Sequence, residues 1–128
     1  MTTWGSVRDY LLANYEIASE RDGQIALDFA TEGGRSQRVS IDLEEWEGRS
    51  WICISSGFGE VGQVDLERAL SLIESRIFGA IGQVGNYYVV KHSAPLEDMN
   101  TDELELPMQL TLSLADELEA ALTDADRY

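Results

Sequence analysis

The chain has 128 residues, of which 44% are hydrophobic, enough for one domain with its own core. No apolar run approaches the roughly 18 residues of a membrane-spanning helix, and the first residues lack the basic-then-apolar pattern of a signal peptide. The single cysteine, Cys53, excludes an internal disulfide and a cysteine-based metal cluster. We therefore expect one domain over residues 1–128, a cytoplasmic location and no membrane partner.

The net charge is −15, from 24 acidic and 9 basic residues. Residues 97–128 alone hold ten acids and one base, Arg127. Such a surface repels phosphate backbones, so nucleic acid is not an expected partner. A solvated surface that keeps the protein soluble is the simplest interpretation, and attraction to a basic partner or imitation of a nucleic acid are the alternatives.

The first half of the chain predicts a helix followed by strands. Thr2 or Thr3 can cap a helix over about residues 3–14, with an apolar face at helical spacing. Alternation of apolar and polar residues then predicts a strand from Tyr15, a second around Ile25–Phe29 and a third around Val39–Leu43. Short turns separate them, so we expect an antiparallel meander. The turns are Asp22-Gly23, Gly33-Gly34 and Glu47-Gly48.

A fourth strand begins at Trp51 and has a different pattern. Trp51 and Cys53 point to one side and Ile52 and Ile54 to the other, so both faces are apolar. This pattern is typical of a strand covered on two sides, and it predicts that layers of structure pack on both faces of the sheet.

The segment after this strand predicts an amphipathic helix. Asp65 is a suitable N-cap, and Gly79 ends the predicted helix after Phe78. Its apolar stripe consists of Leu66, Ala69, Leu70, Ile73 and Ile77. A short strand is possible over residues 80–85, and a second strand follows from Tyr87 until Pro95 ends it.

The last segment contains both a strand pattern and a helix pattern. Leucines alternate from Leu104 to Leu114, but the residues that follow are strong helix formers, and no turn signal separates the two halves. We predict a helix from about Thr101, with Pro107 at a kink or in the first turn. One apolar stripe is Leu104, Met108, Leu112, Ala115 and Leu122. The second stripe, which predicts a homodimer interface, is Leu106, Leu110, Leu114 and Leu118.

The glycines between Gly57 and Gly62 match the dinucleotide-binding spacing G-x-G-x-x-G. In that fold the glycines open the helix that holds the phosphates, within a parallel strand–helix–strand unit. Here hairpin strands come before the motif, the helix is predicted to begin only after Asp65, and Glu60 places a negative charge inside the loop. A flexible connection between strand and helix, exposing Phe58, is the better interpretation.

Other candidate sites are incomplete. Asp98-x-Asn100-x-Asp102 copies the start of a calcium loop, but later positions depart from that pattern, so we expect a turn in which Asn100 or Thr101 caps the last helix. His92 and Ser93 are neighbours on a strand and point to opposite faces, so they cannot act as a catalytic pair. We therefore predict no catalytic residue, no cofactor and no metal.

Four aromatic residues are candidates for binding a partner. Aromatic residues belong to the core by default, but Trp46 lies beside a turn and Phe58 in the predicted glycine loop. Large apolar side chains exposed together are typical of protein-interaction surfaces. The predicted partner-binding residues are Trp46, Phe58, Tyr87 and Tyr88.

Three segments carry a resemblance to a known family. They are the Asp65–Phe78 helix, the strand sequence GNYYVVKHSAPLEDMN and the closing sequence ELPMQLTLSLADELEAAL. With the order helix, antiparallel meander, helix, strand, helix, they resemble the type III secretion chaperones and the related YbjN-like proteins over nearly the whole chain. The resemblance implies an α+β fold and a small, acidic homodimer that holds an extended segment of a client polypeptide, and it supplies no catalytic residues.

The sequence thus leads to three hypotheses about function. The first is a non-enzymatic peptide- or protein-binding module of the chaperone type, which uses an exposed sheet edge. The second is an acidic inhibitor or immunity-type protein, whose acids would need to cluster on one face. The third is a small nucleotide-binding protein that uses the Gly57–Gly62 loop.

Overall fold

The computed structural model describes residues 2–123 and has an α+β architecture. The predicted order α-β-β-β-β-α-(β)-β-α is confirmed. The bracketed short strand, which the sequence places over residues 80–85, is present. The helices are α1 (Trp4–Asn14), α2 (Leu66–Ile73) and α3 (Thr101–Leu122). The strands are β1 (Ile17–Arg21), β2 (Gln24–Ala30), β3 (Ser36–Trp46), β4 (Arg49–Glu60), β5 (Ala80–Val84) and β6 (Tyr87–Pro95).

The six strands form one open antiparallel sheet in the order β1-β2-β3-β4-β6-β5. The first four strands are a meander, as the short turns predict. The chain then crosses through α2 and adds β5 as the far edge, and β6 returns between β5 and β4. The two edges of the sheet are therefore β1 and β5.

The helices pack on one face of the sheet, which we call the helical face. The first hydrophobic cluster joins α1 and the first half of α3 to β2, β3 and β4 through Ile25, Ile41 and Ile54. The second cluster joins α2 and the second half of α3 to β4 and β6 through Phe58 and Val90. The core therefore lies between the sheet and α3, and α3 crosses both clusters.

The opposite face of the sheet, which we call the open face, carries Trp51 and Cys53. Both side chains are half-buried, whereas Ile52 and Ile54 on the helical face are fully buried. Within residues 2–123, each helix packs on the helical face. The prediction that this strand is covered on both sides is therefore wrong, because neighbouring side chains, and not a second layer, shield Trp51.

Strand β4 is longer than predicted and includes the first two glycines of the motif. It runs to Glu60, with a register shift against β6 between Gly57 and Gly59. A Cβ at Gly59 would lie 2.0 Å from Val64 Cγ2, so the close approach of the following segment requires glycine there. The prediction of a flexible loop over 57–62 is wrong for this part of the motif.

Helix α2 is shorter than predicted. Asp65 caps it, with its side chain accepting from the backbone N–H of Arg68 at 3.2 Å, but it ends at Ile73 and not at Phe78. In the predicted apolar stripe only Ala69 is fully buried, and Leu70 is exposed. The helix packs on α3 through the second cluster, so most of the stripe stays in contact with solvent.

Helix α3 begins as predicted, with Asn100 as its cap. The Asn100 side chain accepts from the Glu103 backbone N–H at 2.9 Å, and the Glu103 carboxylate accepts from the Asn100 N–H at 3.0 Å, which forms a capping box. Pro107 lies beyond the first turn and is buried. The first apolar stripe of α3 is buried throughout, as the pattern predicts.

The second stripe of α3 does not form one exposed face, so the predicted dimer interface needs correction. Leu114 and Leu118 are buried in the second cluster, whereas Leu106 is 60% exposed and Leu110 is 39% exposed. Four residues turn a helix by about 400°, so a stripe spaced by four moves around the axis by about 40° at each step. It therefore passes from solvent at Leu106 into the core at Leu118.

Candidate protein-interaction surfaces

The four aromatic residues predicted to bind a partner do not come together in one site. Phe58 is fully buried in the second cluster, so the prediction that it is exposed is wrong. Its ring stacks on that of Tyr88, with centroids 6.1 Å apart, and Tyr88 is half-buried on the helical face. Strand β4 continues through Phe58, and the strand turns this side chain towards α3. These two residues belong to the core.

Tyr87 and Trp46 lie on the open face, near opposite ends of the sheet. Tyr87 pairs with Glu60 at the end of β4, and its ring lies over Gly57, where a Cβ would be 3.8 Å from Tyr87 Cδ1. Trp46 is at the end of β3, beside the turn to β4. At roughly 3.3 Å per residue, the six residue steps along β4 from Trp51 to Gly57 separate these places by about 20 Å.

Trp46 is 64% exposed and packs on Trp51 in a T-shaped arrangement, with ring centroids 6.0 Å apart. The Trp51 indole N–H donates to the Trp46 carbonyl oxygen at 3.1 Å. This hydrogen bond satisfies the polar atom of the half-buried ring and fixes how the two rings meet. The pair therefore presents an ordered aromatic surface at the end of the β3–β4 hairpin.

A surface groove of about 380 Å³ lies between α3 and the segment that leads from α2 to β5. We call it the β5 groove. Ile77 is fully exposed at its rim, and Leu110 lines the opposite wall. The ion pair between Arg76 and Glu117 bridges the two walls. The full lining is Ser75, Arg76, Ile77, Phe78, Leu110, Ser113, Leu114 and Glu117.

The aromatic residue of the β5 groove is held by the sheet. The Phe78 ring stacks on His92 of β6, with centroids 5.1 Å apart and planes 26° from parallel. Burial lowers the pKa of His92 below its ordinary value of 6.5, so this ring is neutral at pH 7. Gly79 follows with φ +105°, and a Cβ there would meet Leu114 Cδ2 at 2.6 Å. Phe78, which lines the groove, therefore rests on an uncharged ring.

Strand β5 begins where the β5 groove ends and forms an exposed edge without the usual protection. Its sequence Ala80–Val84 has no charge and no proline, and it pairs with β6 at five successive positions in an unbroken register. The other edge, β1, carries Glu20 and Arg21 and has a register shift after Ile17. Charges and bulges keep an edge from pairing with other chains, so β1 is protected and β5 is open.

Sequence reasoning missed the residues of the β5 groove other than Leu110 and Leu114. The sequence pattern places Ile77 in the apolar stripe of α2, because the spacing continues past Ile73, at which the helix ends. One signal in the sequence could have indicated that Ile77 is exposed. The apolar stripe ends next to Gly79, and an irregular segment near a glycine can expose a large side chain. The lack of charge in Ala80–Val84 was also visible in the sequence.

The structure bears on the nucleotide hypothesis through the position of the glycines. Gly57 and Gly59 lie inside an antiparallel strand, and α2 begins at Leu66, after the whole motif. A phosphate loop needs its glycines at the helix N-terminus, so the motif lacks the required geometry. Within residues 2–123, no three side chains of His, Cys, Asp or Glu are placed to hold a metal ion.

Acidic side chains are spread around the fold. Exposed acids occur on each helix and in the turns at both ends of the sheet. Examples are Asp9, Asp22, Glu32, Glu47, Glu67, Glu97 and Asp102. An inhibitor that imitates nucleic acid needs its acids on one face, and this distribution does not favour that hypothesis.

Comparison with protein-family models, with curated proteins and with solved structures returned no match. Among the described helices, none combines the length and the apolar character needed to cross a membrane.

Proposed function

We propose that the protein is a non-enzymatic polypeptide-binding module that holds an extended segment of a client against β5 and the β5 groove. The observation that carries this proposal is the uncharged, unbroken edge strand beside an exposed apolar groove. An added strand would pair with the outward backbone groups of β5, and its alternate side chains would pack on Ile77 and Phe78 of the groove. Membership of the chaperone superfamily is part of this proposal and depends on the sequence patterns.

The exposed leucines of α3 support a second part of the proposal, a homodimer. Leu106 and Leu110 are exposed one turn apart on α3, next to the β5 groove. Large apolar side chains that lie together at a surface are typical of interfaces. Light scattering should give twice the chain mass of 14.3 kDa for the wild type and the single mass for Leu106→Asp. A wild-type mass of one chain at micromolar concentration would contradict the homodimer.

Affinity purification from the native cell tests the client-binding proposal. The wild type is compared with Ile77→Asp, which leaves the leucines assigned to the homodimer intact, after a cross-linker is activated. The matched control is Leu12→Asp, because Leu12 is an exposed apolar residue on α1, away from the groove. We expect the wild type and the control to recover the same polypeptides and Ile77→Asp to lose them. Recovery of equal amounts by all three proteins, or of none by the wild type, would contradict the proposal.

A further inference from the structure

The Trp46–Trp51 pair on the open face is a second surface, separate from the β5 groove. Its two rings are fixed by the hydrogen bond from the Trp51 indole, and Trp46 remains 64% exposed. Within residues 2–123, neither indole belongs to the hydrophobic clusters that hold the helices on the sheet. The pair is therefore an ordered aromatic surface that is available to a ligand.

The charges around the pair are predominantly negative. Glu44 is the backbone partner of Trp51 and so lies on the same face, and Glu47 follows Trp46 directly in the turn. Arg49, the backbone partner of Trp46, approaches Glu97 to 3.9 Å. In the described part of the chain, neither Glu44 nor Glu47 forms an ion pair.

We infer that the Trp46–Trp51 pair, with Glu44 and Glu47, is a binding site for the cationic side chains of an arginine- or lysine-rich polypeptide segment. The face of an indole ring attracts a cation within about 6 Å of its centre. Two carboxylates that form no ion pair within residues 2–123 add complementary charge to that attraction, and the net charge of −15 draws basic segments towards the surface. The site uses the open face, so it stands whether or not β5 binds a client.

The indole N–H signals in ¹H–¹⁵N NMR spectra test this inference directly, because the chain has three tryptophans. The probe is a short, unstructured peptide in which arginine alternates with glycine, and the matched peptide has glutamine in place of arginine. We expect the Trp46 and Trp51 signals to shift saturably with the arginine peptide while the Trp4 signal stays unchanged. Added salt should weaken this binding, because the charges are exposed.

Variants separate the aromatic and the charged contributions. Trp46→Ala should weaken binding by about two- to fivefold. The double variant Glu44→Gln and Glu47→Gln should also weaken binding, by about two- to fivefold. The control double variant Glu16→Gln and Glu32→Gln removes two exposed acids away from the β3–β4 hairpin, so it matches the change in net charge and should leave binding unchanged. The inference is overturned if no signal shifts, if the glutamine peptide shifts the same signals equally, or if the control double variant has the same effect as Glu44→Gln with Glu47→Gln.

Discussion

Tyr15 donates its phenolic O–H to the carboxylate of Glu105, with its oxygen 2.6 Å from both carboxylate oxygens. Tyr10 of α1 donates to the same carboxylate at 2.5 Å. These bonds join residues that are 90 and 95 positions apart in the sequence. They fix α1 to α3 by polar contacts, in addition to the first hydrophobic cluster. Hydrogen bonds to a charged carboxylate are stronger than hydrogen bonds between neutral groups.

Replacing Tyr15 with Phe should reduce the free energy of unfolding by about 1.5–3 kcal/mol, since a hydrogen bond to a charged group is lost while the ring remains. Urea denaturation measures this change. Tyr87→Phe is the matched control, because the exposed Tyr87 hydroxyl donates to Glu60 over a longer distance of 3.3 Å. Equal losses for the two variants would contradict a special role for Glu105.

The same contacts predict how the protein responds to alkali. The hydrogen bond to Glu105 raises the pKa of Tyr10 to about 12, and burial, with the bond to Glu105, raises the pKa of Tyr15 to about 12. A tyrosine whose pKa is higher in the folded than in the unfolded state stabilises the fold fully at pH values below its unfolded pKa, near 10. This contribution is lost as the pH rises from 10 through 12. Absorbance at 295 nm should show two tyrosines titrating late, and Glu105→Gln should bring both towards pH 10.

A second polar link, between Arg35 and Asp116, predicts a response to acid. Arg35 donates to both Asp116 oxygens, at 3.2 and 2.9 Å, and Thr31 donates at 3.0 Å. The hydrogen bond from Arg35 lowers the pKa of Asp116 below its ordinary value of 3.8. The link therefore contributes stability above that value, and the contribution is lost as pH falls through the lower folded pKa.

Asp116→Asn should accordingly cost about 1–3 kcal/mol of unfolding free energy at pH 7, because Arg35 loses the charged carboxylate that accepts its two hydrogen bonds. The difference from the wild type should shrink below about pH 4. Denaturation curves at several pH values give both quantities. A difference that stays constant down to pH 2 would show that the charge of Asp116 is not the cause.

Gly59 provides a test of how the glycine motif is interpreted. Gly59→Ala should destabilise the fold by about 1–3 kcal/mol, because the new Cβ would collide with Val64. Gly5→Ala is the matched control, since a Cβ there would lie 3.9 Å from Thr3 Oγ1, an ordinary contact, and alanine favours a helix. Thermal unfolding should separate the two variants in opposite directions. An unchanged melting temperature for Gly59→Ala would contradict the packing role.

The element order could be predicted because the strong local signals agree with the fold. Asp65 and Asn100 cap the helices that they were expected to cap, and the Asp22-Gly23 turn connects β1 to β2. These signals depend on neighbours in the sequence, and their physical causes are local.

Contacts between distant segments account for what could not be predicted. Phe58 was expected in a loop because glycines flank it, but Val64 folds back over Gly59 and β6 pairs alongside, so β4 continues. Leu110 and Leu114 are both leucines and are neighbours in the same stripe of α3. Only the path of α3 across the sheet decides which of them is buried. The exposure of Ile77 likewise follows from where α2 ends.

Hydrogen–deuterium exchange of β5 tests the central proposal most directly. It is measured with and without the polypeptide that the wild type recovers from the native cell. If the client adds as a strand, the amides of Ala80–Val84 that do not pair with β6 should exchange at least about tenfold more slowly in the complex, while β1 stays unchanged. A client that binds while exchange at β5 is unaltered would contradict the account.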